Sequence, residues 1–134
     1  MRTHLLDTNA VIALLTGRSP RLIDKVTSSP VGSLALPTIV VHELYFGAYR
    51  SARIEHNLET LRLLITDIPV LDFDTQDAIL SGEIRAELAN SGRPIGPYDV
   101  LIAGQAKARR LTLVTNNVGE FERVEGLPVE DWTR

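Results

Sequence analysis

The stretch Leu5-Leu6-Asp7-Thr8-Asn9 shows how the start of this chain folds. Apolar residues lead into an aspartate, two small polar residues follow, and a second apolar run extends from Ala10 to Leu15. This pattern is typical of a buried strand that ends in an acid and continues directly into a helix. Ligands of open α/β sheets bind in the crevice outside the carboxyl ends of the strands. Asp7 therefore lies where such a sheet performs chemistry, although an aspartate at this position also serves as an N-cap.

Strand-like and helix-like segments alternate along the rest of the chain. Strands are predicted over residues 3–6, 33–36, 68–73, 111–115 and 127–132. Helices are predicted over residues 8–15, 21–27, 37–50, 52–65 and 74–88, from Gly96-Pro97 onward, and as a short turn over 120–123. This alternation predicts an α/β fold with a parallel sheet and helices on both faces. A length of 134 residues predicts one domain, covering residues 1–134.

Composition limits the classes of protein to which the chain can belong. Hydrophobic residues make up 44% and charged residues 23%, as in soluble globular domains. The absence of cysteine excludes a disulfide framework and a thiolate metal site. No secretory signal or membrane-length apolar run is present, so we expect a cytoplasmic protein with no membrane partner. The net charge of −3 means that a polyanionic partner must be met by local basic patches, by a metal, or by both.

Glu43 occupies an unusual position for an acid. On a helix, its neighbours three and four residues away are Ile39, Val40, Phe46 and Gly47, so no lysine or arginine is available there to pair with it. Glutamate is rarely buried without a partner. Either the helix has a narrow solvent-facing stripe that contains Glu43, or the side chain points into a cleft where a cation balances its charge.

Further acids follow in the second half of the chain. Asp99 is the third residue of the helix that Pro97 opens, where the helix dipole favours an acid. That helix is apolar nearly all round and hence buried, so Asp99 would face a crevice. After the fourth strand, Asn117 and Glu120 offer oxygens near the same sheet edge, or else serve as a turn residue and a solvated charge.

Three or four converging carboxylates without basic partners repel one another, and a hard cation removes that repulsion. Mg²⁺ and Mn²⁺ prefer oxygen ligands, and Mg²⁺ is typically held by one or two carboxylates together with waters and substrate phosphates. A metal held in this way activates water and stabilises the leaving oxygen of a phosphodiester. The residues therefore indicate metal-assisted phosphoester hydrolysis.

The order and spacing of these motifs resemble those of PIN-domain ribonucleases, and specifically the VapC toxins of bacterial type II toxin–antitoxin systems. The matching segments cover essentially the whole chain: residues 5–9, 41–47, 95–103, 113–117, 120–121 and 129–132. The resemblance implies a three-layer α/β sandwich with a mostly parallel sheet of about five strands. It also implies that the acids meet at one metal site.

By position, the resemblance implies that Asp7, Glu43 and Asp99 are catalytic and bind Mg²⁺ or Mn²⁺. Asn117 stands where many members of the family have aspartate, which departs from the wider pattern. Glu120 then supplies the fourth catalytic acid, either outside the metal's ligands or at a second metal. Three residues are expected to orient carboxylates or waters by hydrogen bonding: Thr8, Thr115 and Asn117.

The resemblance also implies an RNA substrate, often a tRNA or a ribosomal RNA, whose cleavage inhibits translation. It implies a toxin homodimer and a VapB-type antitoxin, which would bind an apolar groove between two helices. The residues expected in this groove, unless they are simply core, are Leu44, Tyr45, Phe46, Tyr49, Leu58 and Leu61. The residues considered for RNA phosphates, unless they are ordinary surface charges, are Arg50, Arg53, Arg85, Arg93, Lys107, Arg109 and Arg110.

Three other functions compete with this interpretation. A non-catalytic PIN-like module that binds RNA or protein would be expected to lack at least one of Asp7, Glu43 and Asp99. A phosphatase or phospho-receiver domain needs a second acid beside the first and a positioned lysine, and the chain offers neither after Asp7 or Thr115. A nuclease that cleaves DNA with the same site is the rival that is most similar to the proposed function.

Overall fold

The structure is a computed structural model that describes residues 1–134. Its strands are β1 (His4–Leu6), β2 (Leu34–Pro37), β3 (Val70–Leu71), β4 (Thr112–Val114) and β5 (Val129–Glu130). Its helices are α1 (Thr8–Thr16), α2 (Pro20–Ser28), α3 (Thr38–Tyr49), α4 (Ile54–Asp67), α5 (Thr75–Asn90), α6 (Pro97–Ala108) and α7 (Val118–Phe121). Every predicted element is present, with bounds that differ by a few residues.

The five strands form one sheet in the order β3-β2-β1-β4-β5, and every pair is parallel. The predicted α/β fold with a parallel sheet of about five strands is confirmed. From β1 the chain builds outward through β2 to β3, and then returns to the other side of β1 with β4. The strand order therefore reverses between β1 and β4, and a ligand crevice is expected outside the carboxyl ends of these two strands.

The two edge strands are shorter than predicted, since β3 and β5 each contain two residues. Pro69 directly precedes β3 and Pro128 directly precedes β5, and a proline has no amide hydrogen to donate. Their carbonyl oxygens still accept hydrogen bonds of 2.9 Å from the amides of Leu36 and Leu113, respectively. Each edge strand is thus joined to its neighbour over a short distance only.

The core surrounds the central strands. Leu5, Leu36 and Leu113 are fully buried, and burial of each contributes roughly 1.5–3 kcal/mol. Helix α6 is buried along most of its length, as predicted from its apolar sequence, with Ile102 and Ala103 almost inaccessible. A buried helix has a fixed position, so its first turn carries Asp99 to a defined place. None of the helices combines the length and the apolar character needed to cross a membrane.

Helices α5 and α6 pack closely against each other. Gly104 lies so near Ser81 that a Cβ atom at Gly104 would be 2.4 Å from the Ser81 Cβ. The predicted capping box of α5 is present, and its Asp77 is buried. Arg109 Nη2 lies 2.9 Å from Asp77 Oδ2 and also donates to the carbonyl of Asp72. Arg109, considered above for RNA phosphates, is therefore engaged in joining α6 to α5.

Candidate active site

Asp7 lies at the carboxyl end of β1, in the crevice beside β4. One oxygen of its carboxylate, Oδ1, accepts a 2.8 Å hydrogen bond from the Ala10 amide, so Asp7 is the N-cap of α1. The other oxygen, Oδ2, accepts a hydrogen bond from the Thr115 hydroxyl. The side chain is 2% exposed, and burial raises its pKa to about 6 despite these two hydrogen bonds. Asp7 thus both caps α1 and places a carboxylate in the crevice.

Glu43 lies half-buried on α3 and shares the crevice with Asp7. Its Oε1 accepts a 2.9 Å hydrogen bond from the hydroxyl of Thr8, the first residue of α1. The negative charge of Glu43 contributes to the raised pKa of both Asp7 and Asp99, so the three acids lie near one another. No lysine or arginine forms an ion pair with any of the three.

Asp99 lies in the first turn of α6 against Glu120. Burial raises the pKa of Asp99 to about 7, with further contributions from the hydrogen bond to Glu120 and from the charges of Glu120, Asp7 and Glu43. The backbone at Gly96 closes over this pair, since a Cβ there would lie 3.2 Å from Asp99 Oδ2. Glycine at the N-cap thus leaves the Asp99 carboxyl its space.

Glu120 is held by two donors besides Asp99. Its Oε1 accepts a 2.9 Å hydrogen bond from the Gly96 amide, and its Oε2 accepts a 2.6 Å bond from Asn117 Nδ2. Burial acts to raise the pKa of Glu120, but the hydrogen bonds from Asp99, Gly96 and Asn117 outweigh it and hold the pKa below its usual value. The proton shared by the pair therefore resides on Asp99 rather than on Glu120.

The donor set suits a hard cation that also keeps water ligands. The acids supply oxygen ligands only, and the pKa values of Asp7 and Asp99 are raised by burial and, to a smaller extent, by the neighbouring carboxylates. No three acidic or histidine side chains are arranged closely enough to bind a metal by themselves. Mg²⁺ does not need such a cage, because one or two carboxylates suffice when waters and substrate phosphates complete its shell. The residues present therefore fit Mg²⁺ or Mn²⁺.

Each orienting residue predicted from the sequence donates to a different acid. Thr8 donates to Glu43, Thr115 to Asp7, and Asn117 to Glu120. Thr115 also accepts a 2.9 Å hydrogen bond from the Asn117 amide, which links the turn after β4 to the end of β1.

Asp131 was not predicted from the sequence to belong to this site. It follows β5, and its charge adds to the raised pKa of Asp7. Its Oδ1 accepts a 2.9 Å hydrogen bond from the Thr133 amide. The signal was available, because an acid after the last parallel strand lies at the same sheet edge as Asp7.

His42 and Tyr98 form an exposed aromatic pair next to the acids, and sequence reasoning missed this pair as well. They directly precede Glu43 and Asp99, and their rings meet edge to face at a centroid distance of 5.6 Å. Nothing in the spacing of two residues 56 positions apart indicates such a contact.

A cleft of about 340 Å³ lies between α1, α3 and α4, with Glu43 in its wall. Of the six residues expected in an antitoxin groove, Leu44 and Leu61 line this cleft. The other four lie outside its lining: Tyr45 and Leu58 pack on the core, whereas Phe46 and Tyr49 are exposed. The rest of its apolar part consists of three residues that sequence reasoning omitted: Ile12 and Leu15 of α1, and Ala48 of α3.

Comparisons with known proteins give consistent results. A family model described as "PIN domain" matches residues 4–127. The chain is 42% identical to a tRNA(fMet)-specific endonuclease VapC of Salmonella typhimurium, over 98% of this chain and 99% of that protein. It is 36% identical to ribonuclease VapC2 of Haemophilus influenzae, over 98% and 99% of the respective chains. A crystal structure of DNA-bound VapBC from Salmonella typhimurium superposes with a TM-score of 0.94, at 42% identity over 98% of this chain and 99% of that one.

Proposed function

The chain belongs to the PIN-domain family, in its VapC group, and from this membership we propose that it is an Mg²⁺-dependent endoribonuclease toxin. It cleaves a specific RNA, a tRNA or a ribosomal RNA, in the cytoplasm and thereby inhibits translation. The observation that carries the proposal is the group formed by Asp7, Glu43 and Asp99, which lies at the switch point of the sheet without a basic partner. Relatives named as tRNA(fMet)-specific endonucleases make initiator tRNA the first RNA to test.

Asp7, Glu43 and Asp99 would hold the cation, and Mn²⁺ has the same preference for their oxygens. When bound, the metal supplies an activated water and offsets negative charge on the phosphodiester. Thr115 and Thr8 fix the carboxylates of Asp7 and Glu43 by donating to one oxygen of each. These two hydrogen bonds hold each carboxylate in one orientation, in which it can bind the cation.

Glu120 acts on the same centre through Asp99. Because Gly96 and Asn117 hold Glu120 as an anion, it accepts the proton of Asp99 in a fixed hydrogen bond. Loss of that proton leaves both carboxylates charged, and this arrangement is stable only when a cation or another positive group is present. Glu120 therefore makes cation binding depend on pH.

We further propose a VapB-type antitoxin as the partner, and a toxin homodimer as its binding form. Similar chains occur in the crystal structures of VapBC from Salmonella typhimurium and VapBC2 from Rickettsia felis. The cleft between α1, α3 and α4 offers apolar side chains at helical spacing, which suits the apolar face of an amphipathic segment. An occupant of this cleft would cover Glu43 and so reach the catalytic group directly.

The proposal is tested by inducible expression in a bacterial host, with growth and initiator tRNA integrity as readouts. The wild-type chain is expected to arrest growth and fragment the tRNA, whereas Asp7→Ala and Asp99→Ala do neither at equal soluble levels. Asp67→Ala, which removes an exposed acid at the end of α4, is the matched control and should remain toxic. Full toxicity of Asp99→Ala would contradict the proposal. Growth arrest without RNA fragments would favour the non-catalytic RNA- or protein-binding module.

A further inference from the structure

A second cleft, of about 600 Å³, opens at the carboxyl edge of the sheet. It is formed by the turn between α1 and α2, by the residue that follows Thr115, and by the chain after β5. Its polar lining consists of Arg18, Ser19, Arg21, Asn116 and Thr133. None of these residues was identified from the sequence as a functional residue.

The cleft lies beside Asp7. Asn116 follows Thr115, whose hydroxyl donates to the Asp7 carboxylate. Thr133 donates from its amide to Asp131, whose charge acts on Asp7. Two walls of the cleft thus adjoin residues that act on Asp7, Thr115 through a hydrogen bond and Asp131 through its charge.

The two arginines of the cleft have free guanidinium groups. Both side chains are exposed, and neither takes part in any of the five ion pairs of the chain. Asp131, in the segment after β5 that lines the cleft, is engaged by Thr133 and Arg134. The net charge of the protein is −3, so two unpaired arginines beside an acidic catalytic site form a distinct local positive patch.

The position of these arginines is electrostatically unfavourable in the free protein. Arg21 is the second residue of α2, Arg18 directly precedes the N-cap Ser19, and the first turn contains no acid. The N-terminus of a helix carries partial positive charge, so a cation placed there is repelled. Unfavourable placements of charge are common at functional sites. An anion bound between the arginines and the helix N-terminus would offset the repulsion.

The backbone that carries the arginines is fixed. Gly17 ends α1 with φ of 68°, and its amide donates to the carbonyls of Ala13 and Leu14. Ser19 then caps α2 by accepting a 3.2 Å hydrogen bond from the Leu22 amide. Arg18 and Arg21 therefore extend from a preformed turn, which lowers the entropic cost of binding a ligand.

We propose that the Arg18–Arg21 cleft binds a backbone phosphate of the substrate RNA next to the phosphate that is cleaved. The inference rests on the proposed function and deepens it, because it assigns the residues that position the strand. Phosphate contacts fix the register of a nucleic acid without reading its sequence. The cleft is thus expected to contribute affinity and position for RNA in general, while the choice of RNA depends on other contacts.

The test measures RNA binding separately from cleavage. Asp99→Asn, in EDTA, is titrated with a fluorescein-labelled initiator tRNA and with a short single-stranded RNA, and anisotropy is recorded over a series of salt concentrations. The same titrations are made with two further variants of the Asp99→Asn protein. One also carries Arg18→Ala and Arg21→Ala, and the other carries Arg2→Ala as the matched control. Arg2 is exposed and precedes β1, at the opposite edge of the sheet.

Loss of the contact to one phosphate of single-stranded RNA should reduce the slope of log K against log salt by about 0.7. The Arg18→Lys and Arg21→Lys double variant should keep the slope, since lysine retains the charge, and Arg2→Ala should leave it unchanged. In the otherwise wild-type enzyme with Mg²⁺, the alanine double variant should raise KM for the tRNA and leave kcat nearly unchanged.

An unchanged slope in the alanine double variant, or no RNA binding by Asp99→Asn at low salt, would overturn the inference. Loss of antitoxin binding with RNA binding intact would overturn it too, and would assign the cleft to a protein partner. Failure of the wild-type enzyme to cleave RNA would instead count against the proposed function, because binding in EDTA does not depend on cleavage.

Discussion

The hydroxyl of Thr115 donates a hydrogen bond to Asp7 Oδ2 and thereby joins the ends of β4 and β1. These two strands flank the point at which the strand order reverses, where open parallel sheets bind ligands. Because the Asp7 side chain is almost fully buried, this hydrogen bond is one of only two that stabilise its charged form. Thr115 thus keeps a buried carboxylate available for a cation.

Thr115→Val should weaken both stability and activity. It removes the donor to a buried carboxylate, and hydrogen bonds to charged groups contribute about 1.5–3 kcal/mol. We expect a loss of that order in the free energy of unfolding near pH 8, and a shift of the acid limb of the cleavage rate to higher pH. Thr115→Ser should restore both. Thr112→Val, at the other end of β4, is the control; equal effects of the two valine variants would show that the hydroxyl has no special role.

The metal-free protein should lose stability as the pH rises from about 4 to about 7. The pKa values of Asp7 and Asp99 are raised from 3.8 to about 6 and about 7, so in this window the native state retains protons that the unfolded chain has released. The free energy of unfolding then falls with rising pH. Asp7 alone accounts for up to about 3 kcal/mol, at 1.36 kcal/mol per pKa unit.

Urea unfolding in EDTA across this pH range measures the effect. With Asp7→Asn, the free energy of unfolding should fall less as the pH rises. Mg²⁺ should also reduce the fall, because a bound cation stabilises the charged carboxylates of the native state. A stability that rises through the window, or an equal decline in wild type and Asp7→Asn, would show that these carboxyls are not the cause.

Gly104→Ala should disturb the site from a distance. The new Cβ would lie 2.4 Å from the Ser81 Cβ and 2.6 Å from its Cα, so α5 and α6 must move apart. Overpacking of this kind costs about 1–3 kcal/mol, and the shift of α6 displaces Asp99, so RNA cleavage should fall as well. Gly82→Ala, on α5 with open space around it, is the matched control and should stabilise by about 0.5–1 kcal/mol. Thermal melts in which both variants behave alike would contradict the close packing.

Arg109→Met should destabilise the fold far more than Arg62→Met. Without Arg109, the buried Asp77 loses its charged partner, and breaking a buried ion pair costs about 3–5 kcal/mol. Arg62 pairs with Glu59 on an exposed face of α4, where solvent and salt screen the pair and its contribution to stability is small. Urea unfolding compares the two. Similar losses would mean that the Arg109–Asp77 pair does not hold α6 against α5.

Local sequence patterns were sufficient to predict most of the fold. The apolar run that ends at Asp7 specified β1 and its cap, and Gly96-Pro97 specified where α6 begins. Glu43 was identified because it lacked a basic neighbour on its own helix, and Asp7 and Asp99 because they stand at the end of a buried strand and in the first turn of a buried helix. The short edge strands β3 and β5 were overestimated, because periodicity does not show how many ladder hydrogen bonds a neighbouring strand will accept.

Contacts between distant segments could not be predicted in this way. Nothing local indicates that Arg109 pairs with Asp77, or that His42 meets Tyr98, since each contact depends on how two helices pack. The Arg18–Arg21 cleft was not predicted from the sequence for the same reason. Arg18 and Arg21 look like ordinary surface charges until the turn between α1 and α2 is brought beside Asn116 and Thr133.

The most direct test of the central claim is incubation of the purified, antitoxin-free protein with total bacterial RNA, with Mg²⁺ or with EDTA, beside Asp7→Ala. We expect discrete RNA fragments that require both the metal and Asp7, and sequencing of their ends would identify the target. Absence of cleavage by well-folded protein, with Mn²⁺ as well as Mg²⁺, or fragments that persist in EDTA or with Asp7→Ala, would contradict it.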